Sequence, residues 1–430
     1  MKITTQRVMG LAISGVLFFF HPASAEGQPD SLARINPGVL CQGPFQGTEL
    51  TSDEISHILE AHKRWLDDPQ DSNGTKANLC RADLDQIDLR EVNLSGANMR
   101  EANLTVSNLD SASLVKTDFT DARMDNASFN ASDLRAANLA RASLYEAEFR
   151  KADLSHANLD QADLRQVNFS EANLAYSNLR GADIKGAFMV KANLEQVNLE
   201  HAHARLADLR EVNLHRALLM RVNLEEADLY KAELQESDLR FADLSRADLS
   251  LANLNEANLE RADLRETMLQ RTVLYQANMR KVNCRECSLQ DADLLKADLT
   301  EANLEGAILD EAYIAKASLV RANLRGAELA WVNLVHADLT ESNLQQATLF
   351  RANLEEAILD GARLYGADLR GANLKGASLK GSDLRGVSIF HVSGLTQTQI
   401  DSSCVDERTR LPQDLTPPPP CNNFPFTHLE

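Results

Sequence analysis

Two short motifs carry residue types able to do chemistry. The stretch "KVNCRECSLQ", residues 281–290, places Cys284 and Cys287 at the C-x-x-C spacing of a zinc ligand pair or a redox dithiol. The triplet "HAH" holds His201 and His203, and His203 lies twenty residues beyond Asp183. Two imidazoles and a carboxylate on one face could hold zinc. A zinc site also needs further ligands and a hydrogen-bonded second layer, and a redox dithiol needs an exposed thiolate. Whether either is on offer depends on the elements that carry these residues.

Both motifs lie in one monotonous stretch. From Ala77 to His391 the chain reads in fives, opening "ANLCR ADLDQ IDLRE VNLSG". Taking the third residue of each five as its centre, 63 centres run from Leu79 to Ile389 without a slip in register, and 50 of them are Leu. Two residues before each centre stands a small residue, mostly Ala. The residue just before the centre is usually Asn or Asp, and the two after it are variable and often charged. A period of five suits neither a helix, which repeats near 3.6, nor a strand, which repeats at 2. It suits a chain that turns a corner every five residues, with the large and small residues inward and the variable pair at the corner. Such a coil buries its own core and hydrogen-bonds to the next coil along the axis.

This pattern resembles the pentapeptide-repeat family, over 315 of the 430 residues. The resemblance implies an all-β solenoid: a right-handed quadrilateral β-helix with four fives to a coil, about 16 coils, and a rod of roughly 75 Å at ~4.8 Å per coil. Open coil ends aggregate, and the flanks read as covers. In "TELTSDEISHILEAHKRWLDD", Thr51 and Glu54 form a capping box, and Ile55, Ile58, Leu59, Trp65 and Leu66 form a helical apolar stripe, which predicts an N-terminal α-helical cap. At the other end, "GLTQTQIDSSCVDERTRLP" resembles the segment that follows the last coil in bacterial members. The expected organisation is a signal peptide at 1–25, a segment with the capping helix at 26–76, the repeats at 77–391, and a C-terminal capping segment with a Pro-rich tail at 392–430.

The signal peptide follows from Lys2 and Arg7, the apolar run "VMGLAISGVLFFF", and the small-x-small site "ASA". It predicts a secreted or periplasmic protein, or a lumenal one in a phototroph's thylakoid, without membrane insertion. Removing those 25 residues leaves a net charge of −21, which disfavours nucleic acid as a partner. Six cysteines in an oxidising compartment pair readily. They fall in three groups too far apart to cross-pair, so Cys41–Cys80 and Cys404–Cys421 are expected as staples for the two ends. Cys284 is a centre and Cys287 the small residue of the next five. Both should face the core, either as a corner staple or as two thiols.

Enzymes need convergent groups in a concave pocket, and a repeat with no insertions builds flat faces. No catalytic role and no cofactor is expected, and the His201, His203 and Asp183 grouping lacks a third imidazole. Arg165, Lys185 and Arg205 share an edge, which reads as cross-coil ion-pair ladders. Apolar residues on two adjacent faces stand out more: Met268, Val273, Tyr275, Leu295, Ile308, Tyr313, Trp331, Val335 and Phe350 all fall at outward positions. A patch of that kind marks a contact surface for a protein partner or a second copy. The reading is a noncatalytic extracytoplasmic scaffold or protein-binding rod. The resemblance brings an alternative, since family members mimic DNA and protect gyrase; an acidic DNA mimic would act on a DNA-binding protein such as a topoisomerase. A metal-binding protein ranks third.

Overall fold

The computed structural model describes residues 41–45 and 47–418. The expected signal peptide, Cys421 and the end of the Pro-rich tail lie outside the described residues. The chain divides into two compact units, Met1–Asn223 and Leu224–Glu430.

In the first unit, parallel bridges join each outer residue to the one twenty residues on, from Asn78 with Asn98 to His203 with Asn223. Twenty residues are four fives, so each coil has four sides. The second unit repeats the register from Asp228 with Asp248 to Asn373 with Ser393. One residue per side makes the bridge, too little to count as a strand.

Every backbone N–H of a five has its own destination, as residues 297–301 illustrate. Ala297 closes the corner onto Leu294 O at 3.0 Å, Asp298 donates back one coil to Ala277 O at 2.9 Å, and Leu299 and Glu301 donate forward to Ser318 O and Val320 O at 2.7 and 2.9 Å. Only Thr300 N–H lacks a backbone acceptor, and the Asp298 side chain takes it at 3.0 Å. Asn or Asp before each centre is therefore a hydrogen-bond requirement of the corner. Asn adds a second bond, because its amide donates to the residue one coil earlier. Asn303, Asn323 and Asn343 form such a ladder in the second unit, at 3.2, 3.1 and 2.9 Å.

The second corner residue of every five has positive φ, from Arg81 at 57° to His391 at 59°. Few of these are glycine, although the left-handed region costs an L residue roughly 1–2 kcal/mol. β-Branched Val106, at φ 58° and 53% exposed, carries that cost without a packing return. Val106→Gly is expected to raise stability by about 0.5–1 kcal/mol, the relief outweighing glycine's extra chain entropy. Urea denaturation checks the sign, and a loss would show that the corner does not strain its residue.

The core is a column of centres on each side, nearly all fully buried. In the first unit Phe129, Phe149 and Phe169 stack on one side with centroids 4.6 and 4.8 Å apart.

At the N-terminal end, α1 (Ser52–Asp67) starts at a Thr51–Glu54 capping box. Ile55, Ile58 and Leu59 lie against Leu79, Leu84, Ile87 and Leu89 of the first coil. Glu49 bridges Asp83, and the Cys41–Cys80 disulfide, Cα–Cα 6.0 Å, ties the preceding segment to the same coil. At the C-terminal end, α2 (Gln397–Asp401) buries Ile400 completely. Gln399 Nε2 donates to Leu374 O and Ala377 O, both at 2.9 Å. Cys404 and Arg410 bridge Asp383 and Ser388. Cys404 is disulfide-bonded.

Candidate interaction surface

The two chemical motifs are built into the repeat. Cys284 and Cys287 are fully buried and joined as a disulfide across a corner, Cα–Cα 5.2 Å, with Cys287 N–H donating to Cys284 O at 3.3 Å. A buried disulfide presents no thiolate to metal or substrate. His203 bridges Asp183 one coil back, and His201 sits at a corner with φ 63°; both imidazoles are exposed. Among the described residues no group of three His, Cys, Asp or Glu is placed to hold a metal ion. Nor is any described helix long and apolar enough to cross a membrane.

An open trough of about 500 Å³ on the first unit is lined by Asn158, Asp160, Tyr176, Ser177, Asn178, Arg180 and Asn198. Ser177 Oγ donates to Leu174 O at 2.7 Å, and no imidazole lines the trough.

The basic edge forms the expected cross-coil pairs only in part, as between Arg325 and Glu305 at 4.0 Å. Arg165 pairs first within its own five, Nη2 to Asp163 Oδ2 at 2.6 Å, and only loosely across the coil to Asp183 at 3.8 Å. Burial raises the Asp163 pKa, but the hydrogen bonds from Arg165 outweigh it and hold the carboxyl below its ordinary value. Arg265 with Asp263 and Arg370 with Asp368 repeat this pairing. The spacing of Asp before a centre and Arg after it is the sequence signal. Cross-coil pairs occur at both corner positions, as between Lys281 and Glu301 at 3.2 Å and between Lys375 and Glu355 at 2.5 Å.

The nine apolar residues all fall in the second unit, in four groups. Trp331, 52% exposed, sits at a corner under Arg351, whose guanidinium is 4.5 Å from the ring centroid; Phe350 meets it edge-on at 6.1 Å. Met268 and Ile308 share one side, with Ser288 between them. Val273 and Tyr313 share the next side, with Asp293 between them. Beside that side, Tyr275, Leu295 and Val335 form a corner stripe completed by Ala315, successive coils being joined by Gln276, Lys296 and Lys316 N–H bonds.

Four of these residues also remove something. Met268, Val273, Ile308 and Tyr313 stand where the repeat places its acceptor. The N–H groups of Gln270, Tyr275, Asp310 and Ala315 accordingly donate to no protein group among the described residues. By contrast Leu295 N–H and Val335 N–H bond to Asp293 and Asn333 at 3.0 and 3.1 Å. The sequence itself shows these four replacing the usual Asn or Asp before the centre; that each replacement also leaves an N–H without its acceptor appears only in the built coil.

A four-sided solenoid built of five-residue sides is a narrow class. The sequence pattern of the pentapeptide repeats family matches in overlapping segments from residues 75–110 to residues 347–386. The chain belongs to the pentapeptide-repeat family, whose fold is the right-handed quadrilateral β-helix. Among solved structures, trypsin-treated QnrB1, a plasmid-mediated fluoroquinolone resistance protein, is 17% identical over 48% of this chain and 91% of its own, with a TM-score of 0.24. A pentapeptide repeat protein from the Arabidopsis thaliana thylakoid lumen is 30% identical over 21% of this chain and 68% of its own, TM-score 0.19. HetL, involved in heterocyst differentiation regulation in the cyanobacterium Nostoc, is 24% identical over 84% and 98%, TM-score 0.15. No curated protein matches the sequence. Superpositions this partial carry no argument about function.

Proposed function

We propose that the protein is a noncatalytic scaffold that works outside the cytoplasm and binds a protein partner through the apolar sides of its second unit. One observation carries this reading. At Met268, Val273, Ile308 and Tyr313 the repeat gives up the acceptor its corners use, and puts apolar surface there instead. A substitution that leaves apolar surface partly exposed and takes away an N–H acceptor costs stability, so a contact surface is its natural use. At four fives per coil the repeats amount to about 16 coils. Helix α1 and the segment after residue 393 act as covers for the two open ends. The sequence of the first 25 residues supports export to the periplasm, the exterior or a thylakoid lumen.

Restoring the repeat is the test. The combined variant Met268→Asn, Val273→Asn, Ile308→Asn, Tyr313→Asn should fold at least as stably as the parent. It should lose the partner recovered by crosslinking in intact cells. If the recovered partner and the oligomeric state both stay the same, the reading is wrong.

A net charge of −19 keeps the acidic DNA mimic as a second reading. A mature form found in the cytoplasm, relieving inhibition of a topoisomerase, would reverse the order.

A further inference from the structure

We propose that the corner stripe of Tyr275, Leu295, Ala315 and Val335, flanked by Lys296 and Lys316, docks one helical segment of a partner protein, apolar on one face with carboxylates beside it. This rests on the protein-binding reading and names the chemistry of the partner.

Spacing selects the helix. Successive stripe residues are one coil apart, so the three steps from Tyr275 to Val335 span about 14 Å. Three turns of α-helix rise about 16 Å, a misfit that side chains absorb. Three same-face steps of an extended strand cover about 20 Å, which puts its last anchor beyond the stripe. A strand also has no sheet edge to join, since neighbouring coils already take up the backbone groups of this corner: Gln276, Lys296 and Lys316 N–H all donate to the next coil. A helix needs only pockets for its side chains. Ala315, the smallest of the four and 3% exposed, lies between Leu295 and Val335, with Tyr313, 41% exposed, beside it on the adjacent side.

Charge selects the flanking groups. Lys296 and Lys316 are exposed and form no salt bridge among the described residues; Lys296 instead lies over the Tyr275 ring at 5.3 Å and donates to its hydroxyl at 3.2 Å. The chain as a whole carries −19, so an acidic segment is repelled over most of the surface and attracted here. Tyr275 N–H and Ala315 N–H lack protein acceptors. In the coil between them, the equivalent Leu295 N–H binds the Asp293 carboxylate at 3.0 Å. A partner's carboxylate therefore supplies what this corner of the repeat otherwise supplies for itself.

The test is a short-peptide display library panned on the full mature chain, with enriched peptides synthesised and titrated by fluorescence anisotropy. The expected peptides carry apolar residues at i, i+4, i+7 and i+11 with neighbouring Asp or Glu, and gain helical circular dichroism on binding. Lys296→Glu with Lys316→Glu should weaken them roughly tenfold or more. Tyr313→Asn, which returns an acceptor to Ala315 N–H and so folds, should weaken them too. The proposal is overturned if the enriched peptides show no acidic excess or ignore these substitutions. Peptides lost with Met268→Asn and Ile308→Asn but indifferent to the lysines would leave the protein-binding reading standing and remove the stripe. Lysine-dependent binding to phosphatidylglycerol vesicles without acidic peptides, or a dimer dissociated by Leu295→Glu, would likewise overturn it in favour of a lipid or a second copy.

Discussion

Phe149→Ala is expected to destabilise the first unit by about 3–5 kcal/mol, read as a lowered urea midpoint with an unchanged slope. Phe149 lies between Phe129 and Phe169 with both rings nearly parallel to its own, and all three side chains are fully buried. Truncation removes the apolar burial and two stacking contacts at once, and neighbouring coils cannot collapse into the gap because their spacing is set by backbone bonds. The Phe149 amide donates to Asn168 O and the Phe129 amide to Glu148 O, each at 2.7 Å. In a solenoid each coil leans only on its neighbours, so hydrogen exchange should speed first at these amides. Phe149→Leu should cost under about 1.5 kcal/mol, because Leu fills most other centres and keeps much of the volume. Equal losses for Ala and Leu would show that the aromatic stack adds nothing beyond an ordinary centre.

The large and small inward residues made the coil legible, because a five-residue period has no other compact solution. The register held from Leu79 to Ile389 in every corner φ. What the period does not reveal is why Asn or Asp precedes each centre. That follows from one backbone N–H per five lacking an acceptor, which appears only when the coil is built. The left-handed corner residues were equally invisible, since glycine, the usual mark of that conformation, is absent at most of them. At the proposed contact surface, the outward positions of Tyr275, Leu295 and Val335 were readable from register, while the parts given to Ala315, Lys296 and Lys316 were not. A small residue and two lysines look unremarkable until their neighbours' missing acceptors are counted. His62 was hidden for a related reason: the helical stripe counts apolar residues, and a buried imidazole escapes it.

His62 sets the second large effect, a loss of N-terminal order on acidification. Its side chain in α1 is fully buried, stacked on Trp65 at 5.4 Å, and its Nδ1 accepts Ala77 N–H at 3.0 Å from the start of the first coil. Accepting that bond requires the neutral ring. Burial pushes the pKa below the ordinary 6.5; the Ser95 backbone opposes this, and the Lys76 charge adds to it. Lys76 also lies over the Trp65 ring at 5.8 Å, so the cation that disfavours protonation is held in place. With the folded pKa depressed, the unfolded chain takes up a proton first as pH falls. Stability is therefore full above 6.5 and declines below it, by up to about 1.4 kcal/mol per pH unit until the folded pKa is reached. Paired carboxylates such as Asp368, held down chiefly by the Arg370 hydrogen bond, have their window below the ordinary 3.8 and leave this one clear. His62→Gln keeps an acceptor for Ala77 N–H but does not titrate. In a Trp331→Phe background, Trp65 fluorescence should report a urea midpoint that falls between about pH 7 and 5 in the parent and stays flat in His62→Gln. Parallel profiles for the two would place the acid sensitivity elsewhere. A His62→Gln protein that unfolds at the N-terminal end at every pH would show that the ring's packing, and not its proton, holds α1 to the first coil.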